Sequence, residues 1–304
     1  MFTNRRPAAL PAAIPPGRVK RTLRVVVALI ASVVAFLTTT IMLGAYFPAI
    51  PKAGVIGPVL GGQYPFHIAI LALVGVLLGA LAWRSGLACW GRVLTAVTTL
   101  SIVAALAIGG IQFSAAQKAG TKVSFGEIFS QLAYPNATPD TTQVYAARDG
   151  QALKVDLYLP KHSRNSKVPA ILLAHAGGFR TFDKSDLRGT GRWLADHGVA
   201  AIGVDYSLAT PSRPTWNAAP QDLLSALRWV QDHADEYSVD LSRISMGGMS
   251  AGGTLAMNKN TTFKELPFAE HAFDDAYGSL TSQTSRQILL DFLTKGNLQT
   301  RPSL

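Results

Sequence analysis

The chain has 304 residues, of which 48% are hydrophobic and only 15% charged, and its mean hydropathy is positive. That is too apolar for an ordinary soluble enzyme and suggests membrane segments. The formal net charge of +10 does not point to nucleic acid: residues 1–135 carry eleven Lys/Arg against the single acid Glu127, while residues 136–304 carry seventeen of each sign, so the excess belongs to the apolar half. No basic-aromatic patch accompanies it, and nucleic acid is not expected as a partner. The one cysteine, Cys89, permits neither an intrachain disulfide nor a cysteine-rich metal site, and beside apolar segments its default state is a buried, inert thiol.

Three uncharged apolar runs occupy residues 25–47, 64–83 and 93–113. About 20 apolar residues span the hydrocarbon core as a helix, so the sequence predicts three transmembrane helices within a membrane region at 1–117. Tyr46, Tyr64, Trp83 and Trp90 lie near segment ends, where aromatic rings favour the interface. Arg5, Arg6, Arg18, Lys20, Arg21 and Arg24 precede the first run, and Arg84 and Arg92 flank the loop between the second and third. The positive-inside rule then sets the N-terminus and that loop in the cytoplasm and everything after the third run on the extracytoplasmic side of a cell membrane. His67 lies three residues into the second run, which suits an interfacial position rather than a transport path. Residues 118–139, with Pro135, Asn136 and Pro139, read as a linker. The glycosylation-type triplets at Asn136 and Asn260 carry no weight, because such triplets are frequent by chance.

From residue 140 the pattern changes. Two alternating segments, 143–148 and 152–159, flank Asp149-Gly150, the favoured pair for a two-residue hairpin turn. Residues 168–174 (VPAILLA) and 199–204 (VAAIGV) are continuous apolar runs, as expected of strands buried on both faces. Helical stretches near 187–197 and 221–237 alternate with them, and a short strand at 244–247 leads into Gly248-Met249-Ser250-Ala251-Gly252. Alternating strands and helices predict an α/β domain at 140–304 with a mainly parallel sheet. Gly248, Ser250 and Gly252 fit G-x-S-x-G, in which a serine stands on a strained turn between strand and helix and needs small neighbours on both sides.

Four stretches then resemble one family. His175-Ala176-Gly177-Gly178-Phe179 is similar to an H-G-G-G oxyanion motif with alanine for the first glycine. Asp205-Tyr206-Ser207-Leu208-Ala209 resembles the D-Y-R-L-A run after the next strand. The helix, strand and elbow around 226–253 match, with Met249 where aspartate is frequent. Residues 266–274 resemble the segment that carries a catalytic histidine. The chain therefore resembles α/β-hydrolases of the hormone-sensitive-lipase, or fold-3 carboxylesterase, group over residues 143–293. The resemblance implies a serine hydrolase for small-molecule esters, with Ser250 as nucleophile, His271 as base and the N–H groups of Gly177, Gly178 and Ala251 as the oxyanion hole. No cofactor or metal is implied. His175 and Asp205 read as structural supports; His162, His197 and His233 read as solvated.

One member of the triad has no candidate. The usual order in this fold is Ser, acid, His, yet only twenty residues separate Ser250 from His271. A strand-helix-strand unit takes about 30 residues. Glu265 and Glu270, the only acids in the interval, do not follow a strand of their own, and Asp274 and Asp275 come after the histidine. Asn258-Lys259-Asn260-Thr261-Thr262 breaks the elbow helix early, and the stretch from Phe263 to Phe268 at once resembles a last strand. The chain therefore reads as an internally deleted relative of the family, and its enzymatic activity as open. The alternatives are a catalytically inactive pseudoenzyme or membrane scaffold, and a peptidase of the same fold.

Overall fold

A computed structural model describes residues 16–161, 166–256 and 264–295, with side chains from residue 21 onward. The chain divides into two compact units, Met1–Gly109 and Gly110–Leu304. His162, Asn260, the helix-breaking run at 258–262 and Phe263 lie outside the described residues.

The first unit contains α1 (Pro16–Tyr46), α2 (Ala53–Gly57) continuing into a π-helical turn (Pro58–Gly62), α3 (Pro65–Arg84) and most of α4 (Ala88–Lys118). Segments Arg21–Tyr46, Pro65–Arg84 and Ala88–Lys118 are long and apolar enough to cross a membrane. Small residues lie inside: Ala28, Ala31, Ala72, Ala82 and Ala105 are fully buried. Large apolar ones face outward, among them Leu23, Phe36, Leu77, Leu100 and Val103. This inverts the usual distribution of a water-soluble protein and matches helix packing in lipid, where small residues let backbones approach. A Cβ on Gly75 would lie 2.7 Å from Thr98 Cγ2, and one on Gly57 would lie 2.2 Å from the Ala45 nitrogen.

Two further details belong to this unit. The segment between the first two apolar helices is itself helical, because Gly44 and Gly57 allow α2 to pack directly on α1. Cys89 is exposed rather than buried. It sits two residues, about 200° of helix, from Gly91, which packs closely on the Trp83 backbone. His67, in the first turn of α3, is half-buried with its ring edge-on to Tyr64 at 5.6 Å.

The second unit is built on β1 (Thr141–Arg148), β2 (Gln151–Tyr158), β3 (Val168–Ala174), β4 (Ala200–Val204) and β5 (Val239–Gly248), in the order β1-β2-β4-β3-β5. Asp149 and Gly150 both take positive φ, 50° and 77°, the signature of the turn that Asp-Gly favours. The sheet is mixed rather than mainly parallel. β3 runs parallel to β4 and β5, while β1–β2 and β2–β4 are antiparallel. The cause is the hairpin: with no crossover helix between β1 and β2, the chain doubles back and meets β4 in the opposite sense.

Period-two alternation builds the core. Ala170, Leu172 and Ala174 face one layer with Leu223, Ala226 and Val230 of α7 (Ala218–Asp232); Ile171 and Leu173 face the other with Leu194 and Ala195 of α6 (Arg188–Asp196). Leu293 of α9 (Leu280–Thr294), a helix without a sequence prediction, completes that second layer. Ser279 caps it, its hydroxyl accepting from the Ser282 N–H. Arg286 of α9 is buried and donates from Nη1 to the Tyr277 carbonyl and to Ser282 Oγ, each at 2.8 Å, with its guanidinium 3.8 Å over the Tyr277 ring.

Residues 118–139 are not a free linker but part of this unit. They contain α5 (Phe125–Ser130), capped by Ser124. The Gln283 side chain accepts from the Ser124 N–H and donates to the Ser124 carbonyl, and Gly278 donates to the Gln131 carbonyl. Tyr134 bonds Thr190 and meets Tyr277 edge-on.

The predicted last strand is not a strand among the described residues. Pro267 cannot donate to a ladder, and Phe268 turns left-handed at φ 56°, so residues 264–268 do not pair with the sheet. Among the described residues β5 is consequently an edge strand, paired with β3 alone.

Candidate active site

β5 ends at Gly248, and the chain turns through Met249 and Ser250 into α8 (Ala251–Ala256). Ser250 has φ 53°, a left-handed conformation costly for a residue with a side chain. The turn is held by the Met249 N–H donating to the Ala174 carbonyl at 3.2 Å and Gly252 donating to the Met249 carbonyl at 2.9 Å. Both flanking glycines are sterically required. A Cβ on Gly248 would lie 2.4 Å from the Gly252 carbonyl carbon, and one on Gly252 would lie 2.1 Å from the Ala174 oxygen. The spacing read from the sequence is thus a packing requirement: strand β3 and helix α8 approach too closely for any side chain at either place.

His271 arrives from the other direction on the irregular stretch before the single 3-10 turn Phe273–Asp275. Left-handed residues bracket it, Phe268 at φ 56° and Ala272 at φ 61°. Its Nε2 lies 3.0 Å from Ser250 Oγ. Glu270 is not hydrogen-bonded to the ring; its Oε1 accepts from the His271 backbone N–H at 3.0 Å. Among the described residues no carboxylate is hydrogen-bonded to the His271 ring. Asp274, three residues on, has its carboxyl raised above the usual carboxylate range, chiefly by burial.

The loop after β3 lies alongside. Gly177, Gly178 and Phe179 are three successive residues with positive φ, 100°, 58° and 64°. A Cβ on Gly177 would lie 2.0 Å from the Thr181 carbonyl oxygen, whereas Gly178 faces open space. Among the described residues the N–H groups of Gly177, Gly178 and Ala251 have no protein acceptor. The supports are explicit. His175 is 1% exposed, and burial lowers its pKa, so the ring stays neutral. It stacks on Tyr206 with centroids 4.1 Å apart, its Nδ1 is 2.7 Å from the Ala176 carbonyl, and the Tyr206 hydroxyl donates to the His175 carbonyl at 2.9 Å. Burial pushes that phenol up to about 12.

Asp205 accepts from the backbone N–H groups of Lys154 and Lys184 and pairs with the Lys184 ammonium at 3.6 Å. Asp186 accepts from the Ala176 N–H at 2.9 Å. His197 and His233 are not simply solvated: each stacks on the tryptophan four residues before it, Trp193 and Trp229. Met249 packs in the second core layer with Ile171 and Leu173. Sequence reasoning missed Asp186 and the hydroxyl of Tyr206 as supports of the loop. Tyr206 stood in a recognised motif; nothing in the local sequence marks Asp186.

Among the described residues no three His, Cys, Asp or Glu side chains are grouped as metal ligands would be.

Residues 155–302 match the family model described as BD-FAE. The chain is similar to Esterase LipI of Mycobacterium tuberculosis, 38% identical over 125 residues, which is 39% of this chain and 38% of that protein. It is similar to an ethyl acetate hydrolase of Pseudomonas putida, 36% identical over 113 residues, covering 36% of this chain and 34% of that one. A thermophilic esterase structure from Thermogutta terrifontis aligns at 26% identity and a TM-score of 0.38, covering 44% of this chain and 53% of that one. The chain spans little more than a third of the length of these two curated relatives. The family match and these relatives are likenesses to esterases, each over less than half of this chain.

Proposed function

We propose that this chain is a membrane-anchored serine hydrolase, carboxylesterase- or lipase-like, whose nucleophile is Ser250. The observation that carries the proposal is the 3.0 Å approach of His271 Nε2 to the oxygen of a serine held at φ 53°. With Nε2 unprotonated, the Ser250 hydroxyl donates to it. As Oγ bonds to an ester carbonyl carbon, its proton passes to Nε2 and the carbonyl π electrons move to oxygen. That oxyanion is received by the N–H groups of Gly177, Gly178 and Ala251, and donors of this kind each contribute about 10²–10³ in rate. Collapse expels the alkoxide, which takes the proton from His271; water then repeats the sequence on the acyl-enzyme.

The triad acid is absent from the interval between Ser250 and His271, and we ascribe this to an internal deletion of the strand-helix units that would carry it. Among the described residues Ser250 is the hydrogen-bonding partner of the His271 ring. This shortfall favours, as a second reading, a pseudoenzyme or scaffold that keeps the fold.

A fluorophosphonate probe separates the two readings. Covalent labelling mapped to the Ser250 peptide, and lost in Ser250→Ala, is the expected result. No labelling of folded wild-type protein supports the scaffold.

The three long apolar helices serve in this proposal as a multi-pass anchor, with the N-terminus and the Arg84–Arg92 loop cytoplasmic and the hydrolase unit extracytoplasmic. Exposed Cys89, between Arg84 and Arg92 at the start of α4, provides the test. In intact cells a membrane-impermeant maleimide is expected to leave Cys89 unmodified, and to modify it after permeabilisation. Labelling in intact cells reverses the topology.

A further inference from the structure

A groove of about 1190 Å³ follows the open edge of β5. Its floor includes Ile244 and Met246; Leu224 and Leu227 of α7 wall one side, and Leu289 and Phe292 of α9 the other. One part of its lining consists of residues next to the Ser250–His271 pair in the chain. Gly248 and Gly253 belong to the elbow on either side of Ser250, and Ala269 and Glu270 immediately precede His271. The groove is open because β5 pairs with β3 alone, with no further strand beside it among the described residues.

We propose that this groove receives the acyl chain of the ester whose carbonyl Ser250 attacks, so that the substrates are medium- to long-chain acyl esters rather than acetates. The proposal rests on Ser250 being the nucleophile. From Ile244 to Gly248 the strand runs about 13 Å at ~3.3 Å per residue, room for an extended alkyl chain leading away from the elbow. The leucine, isoleucine and phenylalanine of its walls offer such a chain burial, while Gln231, Lys264, Glu265 and Glu270 form a polar part of the lining. The volume leaves space for waters on the outward N–H and C=O groups of β5, which an alkyl chain cannot satisfy. Each methylene buried improves binding roughly three- to fourfold.

A series of p-nitrophenyl esters from acetyl to dodecanoyl tests this on the full-length protein in detergent. Wild type is expected to show kcat/KM rising at least tenfold along the series. Leu224→Trp and Ile288→Trp, which narrow the groove from its two sides, are expected to lower the dodecanoyl-to-acetyl ratio at least tenfold. A flat wild-type series, or an unchanged ratio in both variants, overturns the proposal. A second measurement needs no turnover. Ser250→Ala protein titrated with cis-parinaric acid is expected to bind it and to release it to dodecanoate. Binding there without any probe labelling of wild-type Ser250 leaves the apolar site standing while the nucleophile assignment fails. Release by an alternating Val/Thr peptide but not by dodecanoate overturns the acyl assignment in favour of a strand added to β5.

Discussion

Wild-type protein is expected to hydrolyse p-nitrophenyl acetate about 10⁴-fold more slowly than a serine hydrolase with a complete triad, and Ser250→Ala is expected to lose what remains. The factor follows from the missing acid. In a serine protease, losing the acid's correct orientation of the imidazole costs about 10⁴ in kcat while the rest of the site stays intact. Here the Ser250–His271 contact is made at 3.0 Å, yet the Glu270 carboxylate is engaged with the His271 backbone rather than its ring. Among the described residues no carboxylate is hydrogen-bonded to the imidazole to fix its tautomer or to stabilise the imidazolium that forms during attack. Turnover of about 10 s⁻¹, typical of enzymes in general, would contradict the missing-acid account. A wild-type rate retained in Ser250→Ala would place the residual chemistry elsewhere.

The second large effect is steric. Gly252→Ala would set a Cβ 2.1 Å from the Ala174 carbonyl oxygen and 2.6 Å from that of His175. No side-chain rotation relieves a clash with backbone, so α8 must move away from β3 and carry the Ser250 turn with it. Overpacking of this kind costs about 1–3 kcal/mol. Denaturant unfolding should show that loss, and reaction of Ser250 with a fluorophosphonate should fall with it. Gly253→Ala is the milder comparison: its Cβ would lie 3.1 Å from the Gly248 carbonyl oxygen, so it should lower the unfolding midpoint less than Gly252→Ala does. Equal behaviour of the two variants would mean that the elbow tolerates displacement.

Much of this site was legible from residue types alone, for identifiable reasons. The elbow was readable because close approach of β3 and α8 excludes side chains at Gly248 and Gly252, which leaves a pattern of glycines. The hairpin was readable because Asp149 and Gly150 must both take positive φ. β3 and β4 were readable because burial on both faces removes every polar residue from 168–174 and 200–204. His271 was named from resemblance, and the fold brings it to Ser250 across twenty residues that no local rule orders.

Other features left no such mark. The supports of the loop after β3 depend on Asp186 accepting from the Ala176 N–H, a contact across ten residues of irregular chain. The predicted last strand failed at Pro267 and Phe268, where a missing donor and a left-handed turn outweighed an apolar run. The supposed linker at 118–139 looked unstructured because its order comes from distant partners, such as Gln283 on Ser124, 159 residues away.

The most direct measurement is the rate at which a fluorophosphonate modifies Ser250, followed by mass spectrometry of the Ser250 peptide in wild type and His271→Ala. The structure predicts slow but stoichiometric labelling of that single serine in wild type, and a further fall of at least tenfold in His271→Ala. Labelling that is absent from wild type, or indifferent to His271, would contradict the pairing of these two residues as nucleophile and base.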